Sequence, residues 1–190
     1  MEQNYITDQQ FEKVDFKEQP IKKGEYEQCT FKDCDFTKND FSNITFTDCL
    51  FQQCNISLVK LTMTSFQDII FRSCKMMGLH FEECNEFVMS FQFDGCNLEH
   101  SSFYKTTTRG TTFKNTTLRD TDFTECDLTG SSFDNCDLQK AMFDHTNLEK
   151  VDFRTALNYS IDPEKNRLKK TRVSSSGLAG LLNKYDLLID

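Results

Sequence analysis

Nine cysteines and three histidines are the residues of this 190-residue chain with the widest chemical reach. Thiols bind zinc, form disulfides or act as nucleophiles, and their spacing decides which. No Cys-x-x-Cys pair occurs, and the closest thiols, Cys29/Cys34 and Cys49/Cys54, are five residues apart. The cysteine count is odd, and the first ten residues lack the basic-then-apolar pattern of a secretory signal. A reducing, cytoplasmic setting is therefore expected, with the thiols serving as small buried hydrophobes. His80, His100 and His145 are scattered and form no HxxxH or HExxH pair. GxGxxG, Walker A and GxSxG motifs are missing as well. These residues predict neither catalysis, nor a bound metal, nor a cofactor.

The element that positions the cysteines is a five-residue repeat, and every cysteine lies two residues before its centre. Centres run from Phe11 through Phe31, Phe51 and Phe71, then resume from Phe93 through Phe113, Phe133 and Phe153. Between them fall Phe16, Tyr26, Phe36, Phe41, Phe46, Ile56, Leu61, Phe66, Met76, Phe81, Leu98, Phe103, Leu118, Phe123, Leu128, Leu138, Phe143 and Leu148. The position before the centre is often Asp or Asn, and the two after it are largely polar. A strand alternates every two residues and a helix every 3.6, so neither period accounts for two inward residues in five. A step of twenty aligns the phenylalanines in one column once two extra residues are allowed between 71 and 93. Four pentapeptides thus make one square coil, and a fixed short period over most of a chain specifies a solenoid.

The pattern resembles the pentapeptide-repeat family, whose repeat is written A(D/N)LXX. Cys126-Asp127-Leu128-Thr129-Gly130 and Cys136-Asp137-Leu138 are close instances. The resemblance covers residues 11–155 and implies an all-β, right-handed quadrilateral β-helix, here of about seven coils, with the centre and the residue two before it filling the interior. Residues 1–10 would form an N-terminal cap. Two irregularities interrupt the coil, at 19–24, where Pro20 and Gly24 favour a turn, and at 83–91, where the two-residue slip is expected to bulge outward. Glu86 stands where a centre would fall, followed by the apolar Phe87, Val88 and Met89.

After Phe153 the period fails, and residues 156–190 are read as a capping or dimerisation tail. It holds a basic cluster of Lys165, Arg167, Lys169, Lys170 and Arg172. Beyond Ser174–Ser176, Leu178, Leu181, Leu182 and Tyr185 have the spacing of one helical face, and the chain ends in Leu187, Leu188, Ile189 and Asp190. This ending is similar to that of quinolone-resistance (Qnr-type) members of the family, a likeness that implies a homodimer through these residues.

Residues 1–155 carry 26 acidic and 16 basic residues, whereas 156–190 carry 4 and 6, giving the formal net charge of -8. An acidic rod is a poor direct binder of nucleic acid, and no apolar run is long enough to span a bilayer. Qnr- and MfpA-type relatives are associated with DNA gyrase and topoisomerase IV as mimics of duplex DNA, so the resemblance implies one of these as partner. The outward acids expected to carry such contacts are Asp35, Asp40, Asp122, Asp127, Asp137 and Asp152, with the loop Glu86–Met89. A passive structural rod binding another protein is the alternative. Mimicry requires acids gathered on one continuous side, and a passive rod would show mixed charge all round.

Overall fold

The computed structural model describes residues 4–87 and 89–188. Ten short strands follow one another: β1 (Asn4–Thr7), β2 (Gln10–Glu12), β3 (Gly24–Glu27), β4 (Thr30–Lys32), β5 (Thr45–Thr47), β6 (Leu50–Gln52), β7 (Ser65–Arg72), β8 (Met89–Asp94), β9 (Thr112–Lys114) and β10 (Ser132–Asp134). All pairings are parallel, and each residue lies beside the one a full coil away: Phe11 beside Phe31, Phe31 beside Phe51, Phe51 beside Phe71. The two-residue slip is absorbed where β7 meets β8, because Phe71 pairs with Phe93 and the register restarts with Phe113. Isolated bridges extend the same ladders around the coil, which makes the molecule an all-β parallel solenoid with four sides.

The interior explains the repeat. Rings of one column stack from coil to coil, with Phe71 5.2 Å from Phe51 and 5.3 Å from Phe93, while rings of opposite columns meet nearly edge-on across the shaft, as Phe133 does with Phe143 at 88°. Offset stacking along the axis and edge-to-face contact across it are the two favoured aromatic geometries. A square shaft satisfies both at once.

The position two before the centre is chemically selective as well as small. Where that position is polar, its side chain donates to the carbonyl of a centre in the preceding coil. Cys54 Sγ donates to Phe31 O at 3.3 Å and Cys74 Sγ to Phe51 O at 3.3 Å. Thr64, Thr121 and Thr146 make the same bond with their hydroxyls, and Asn39 and Asn166 make it with their amides. All nine cysteines are buried free thiols.

The position two after the centre turns the corner. It holds the left-handed conformation at residues as different as Asp33, Lys38, Asn43, Leu58, Met63, Glu125, Lys140 and His145, each with φ between 50° and 60°. Such backbone costs a non-glycine residue about 1 kcal/mol, and β-branched residues most. No Val, Ile or Thr is found in this conformation among the described residues. Where the lattice would place Thr155 at a corner, the backbone is not left-handed, and Asn158 supplies that conformation instead.

Three regions depart from expectation. Residues 19–24 do not leave the coil, because Ile21 fills a core position at 5% exposure. The coil also outlasts Phe153: Asp137 bridges Leu157, Asn147 bridges Arg167 and Asp152 bridges Arg172, so residues 156–173 add to it despite their charge. Their inward positions are taken by Ile161, Asn166 and Leu168, twenty residues after Ala141, Thr146 and Leu148, and by Tyr159, one residue out of register. Finally, Leu178–Leu181 and Asn183–Tyr185 form two short 3-10 turns instead of one amphipathic helix.

Candidate interaction surface

The six aspartates singled out from sequence do not come together. Asp35 and Asp137 share one side, Asp40 pairs across to Lys60 and Asp122 to Ser102 on the next, and Asp127 and Asp152 lie on the remaining two. Each spends one oxygen on its own turn, accepting the backbone N–H two residues on: Thr37 to Asp35 at 2.8 Å, Ser42 to Asp40 at 2.8 Å, Thr124 to Asp122 at 2.8 Å, Thr129 to Asp127 at 3.0 Å, Gln139 to Asp137 at 3.1 Å and Arg154 to Asp152 at 3.1 Å. This is the side-chain turn that Asp and Asn form readily. Five of the six also hold a cation: Lys17 on Asp35, Lys23 on Asp40, Arg109 on Asp127, Arg119 on Asp137 and Arg154 on Asp152. Desolvation alone would raise the Asp35 carboxyl, but Lys17 and the Thr37 donors pull it down to about 2. Asp40 is likewise held at about 2 against its burial by Ser42 and Lys23.

One side is different. Its ladder is β1–β3–β5–β7, in which Tyr5 lies beside Glu25, Glu25 beside Thr45 and Thr45 beside Ser65. The outward positions there hold Asp8, Glu25, Glu27, Asp48 and Asp68, together with Thr45, Thr47 and Gln67, and neither Lys nor Arg. None of these acids has a basic partner among the described residues. Glu27 accepts from the Tyr5 hydroxyl and Asp68 from Ser90 Oγ. Sequence reasoning missed this strip, because its acids become neighbours only when residues twenty apart are stacked, and a whole-chain charge count averages them away.

The irregular loop rises from the same side. Asn85 Nδ2 donates to Ser65 Oγ at 3.2 Å, and the chain rejoins the ladder where Met89 pairs with Phe66. Between these anchors Glu86 is exposed, and Phe87 is 91% exposed with nothing to pack on. Met89 packs partly against the core. Val88 lies outside the described residues.

At the far end the tail folds back onto the last coil. Ile161 N–H donates to Gly180 O at 2.9 Å, and Lys184 bridges Asp162 at 2.8 Å and Glu164 at 2.7 Å. Gly180 sits against Tyr159 so closely that a Cβ there would lie 2.4 Å from the Tyr159 carbonyl oxygen. Leu181 and Leu182 are half-buried, whereas Leu178, Tyr185, Leu187 and Leu188 remain exposed, Leu188 at 98%. Ile189 lies outside the described residues.

The molecule is thus a parallel solenoid with a five-residue period, a filled aromatic shaft and, among the described residues, a strip of unpaired acids along the β1–β3–β5–β7 ladder. The model of the pentapeptide repeat region matches residues 24–92 and 86–160, and the chain belongs to the pentapeptide-repeat family. No curated protein matches it by sequence. Among solved structures it is similar to QnrB1, a plasmid-mediated fluoroquinolone resistance protein. A trypsin-treated variant of QnrB1 gives a TM-score of 0.67 at 15% identity, covering 98% of this chain and 92% of that one. Full-length QnrB1 gives 0.51 at 16% identity, covering 97% and 100%. At such identity the likeness is one of fold.

Proposed function

We propose that this protein is a non-catalytic interaction rod whose β1–β3–β5–β7 side binds a basic protein surface, and that the surface is the DNA-binding groove of gyrase or topoisomerase IV. The observation that carries this reading is the acidic strip itself. Asp8, Glu25, Glu27, Asp48, Asp68 and Glu86 span four inter-strand steps of about 4.8 Å, so the side presents roughly one uncompensated charge per 3 Å. One strand of duplex DNA presents one per roughly 3.4 Å. The strip thus matches a single strand in charge density, and the flatness of a sheet matches a groove shaped for a rigid duplex. Phe87 stands beside it and adds an apolar contact.

The test is gyrase supercoiling with and without ciprofloxacin, at about 50 mM and about 300 mM salt. Inhibition or drug protection is expected at low salt and should fade at high salt. Glu25→Lys with Glu27→Lys should weaken it at least tenfold, whereas Asp122→Asn on another side should not. Absence of any effect at micromolar protein would remove the topoisomerase from the reading. The passive-scaffold reading rests on a separate observation, the aspartate–cation pairs that balance charge on the other sides.

A further inference from the structure

The side that begins acidic ends with the opposite sign. Beyond the loop its ladder continues through Thr107, Asp127, Asn147 and Arg167. The last two levels bring up Lys150, Arg167, Lys169 and Lys170 against one acid, the half-buried Glu149; all four cations are exposed and none is within ion-pair distance of a carboxylate among the described residues. Lys150 and Lys170 occupy the same corner on successive coils, with φ of 60° and 61°, and Lys150 N–H donates to Lys169 O at 3.0 Å. Like charges stacked in this way repel. Nearer the middle of the same side, Arg109 holds Asp127 at 2.7 Å.

The sign therefore inverts along one side, and the change falls at its midpoint, where the loop lifts Phe87 into solvent. Nine levels make up this ladder, named by Tyr5, Glu25, Thr45, Ser65, the loop, Thr107, Asp127, Asn147 and Arg167. A two-fold axis through the loop would set a second copy antiparallel, with the Tyr5 level facing Arg167 and the Glu25 level facing Asn147. Asp8, Glu25 and Glu27 of one copy would then oppose Arg167, Lys169, Lys170 and Lys150 of the other, twice over. Two like-charge approaches remain: Asp48 would come opposite Asp127, which the Arg109 guanidinium already tempers, and Glu149 would come to the level of Glu25 and Glu27, flanked by Lys150 and Lys169. A two-fold contact demands self-complementarity of this kind, whereas a patch meant only for a basic groove needs acids alone. The two exposed Phe87 rings would meet at the axis, an aromatic anchor ringed by charge.

We infer that the β1–β3–β5–β7 side is a salt-sensitive interface between two antiparallel copies of this chain, with Phe87 at its two-fold axis. The contact occupies the acidic strip, so a basic partner must displace the second copy to reach it. It does not depend on the topoisomerase, and its test contains none.

All nine native cysteines are buried, so Phe87→Cys introduces the only exposed thiol among the described residues. A residue on a two-fold axis cross-links to itself, and an end-to-end dimer through the tail keeps mid-rod residues apart. Under a mild disulfide oxidant at about 50 mM salt, Phe87→Cys should form a covalent dimer at least tenfold faster than Met142→Cys, which is 51% exposed on another side. The advantage should vanish at about 500 mM salt. It should vanish also with Lys169→Glu and Lys170→Glu, and return when Glu25→Lys and Glu27→Lys are added. Circular dichroism checks that each variant is folded, and sedimentation velocity of the unaltered protein should show its mass halving as salt rises. Equal cross-linking at both thiols, or a rate and mass indifferent to salt and charge reversal, would overturn the interface.

Discussion

At the scale of the residue, the corner position explains a preference that polarity alone does not. Left-handed backbone favours Gly and Asn and penalises branching at Cβ. Lys140 stands at such a corner with φ of 60°, exposed and without an ion pair among the described residues. Lys140→Asn should raise stability by about 0.5–1 kcal/mol and Lys140→Val should lower it by about 1–2 kcal/mol. Urea midpoints at constant m-value would check both, and a neutral valine would mean the corner is not strained. The thiols set a pH limit. Burial pushes Cys49 and Cys136 up to about 12 and Cys126 up to about 11. An unfolded thiol ionises near about 8.5, so above that pH the unfolded chain binds fewer protons than the native one. This contribution to stability is intact below about pH 8.5 and is lost as pH rises toward the folded values. Urea midpoints between pH 7 and 11 should fall, and less steeply when these three cysteines are replaced by alanine.

At the scale of the element, the unit is the column and not the strand. Strands three residues long hold few hydrogen bonds each, and they persist because every centre is clamped above and below. Phe71, 1% exposed, sits between Phe51 and Phe93 in one such column. Phe71→Ala should cost about 3–5 kcal/mol, because neighbours fixed by the coil cannot collapse into the space. A loss under about 1 kcal/mol in denaturant titration would mean that the column does not bear this load. The loop that carries Glu86 and Phe87 shows the converse. Two extra residues are expelled where β7 meets β8, since a shaft this full has no room for them, and after a register shift between Phe66 and Ile69 the ladder settles with Phe71 beside Phe93.

At the scale of the whole molecule, the two ends differ. Residues 174–188 cover the last coil, while the first coil leaves Ile6, Phe11 and Val14 only partly buried. Coils contact only their neighbours, so end protection governs solubility in a solenoid. Removing residues 174–190 should give monomers or insoluble protein, read by light scattering after chromatography. A soluble dimer of unchanged size would exclude the exposed leucines Leu178, Leu187 and Leu188 as a dimer contact. The tail and the acidic side are separate surfaces and respond oppositely to salt, since apolar contacts are not screened and charge pairs are.

Period and chemistry made the architecture legible without coordinates. Phenylalanine every twenty residues, cysteine two before a centre and a slip between 71 and 93 determined the solenoid, its core and the place of its loop, because each coil repeats the same local problem. The acidic composition was legible too, but not its arrangement. Asp35, Asp40, Asp122, Asp127, Asp137 and Asp152 occupy equivalent repeat positions, yet wrapping sends them to four sides and gives five of them a cation. Glu25, Glu27, Asp48 and Asp68 look unremarkable in sequence and share one strip. The continuation of the coil through Arg172 was hidden because Asn158 and Pro163 stand at two successive centre positions and Tyr159, one residue out of register, fills the interior instead. Which residues point inward is a local property of a five-residue unit and can be read along the chain. Which outward residues become neighbours depends on stacking residues twenty apart, and only the closed coil decides that.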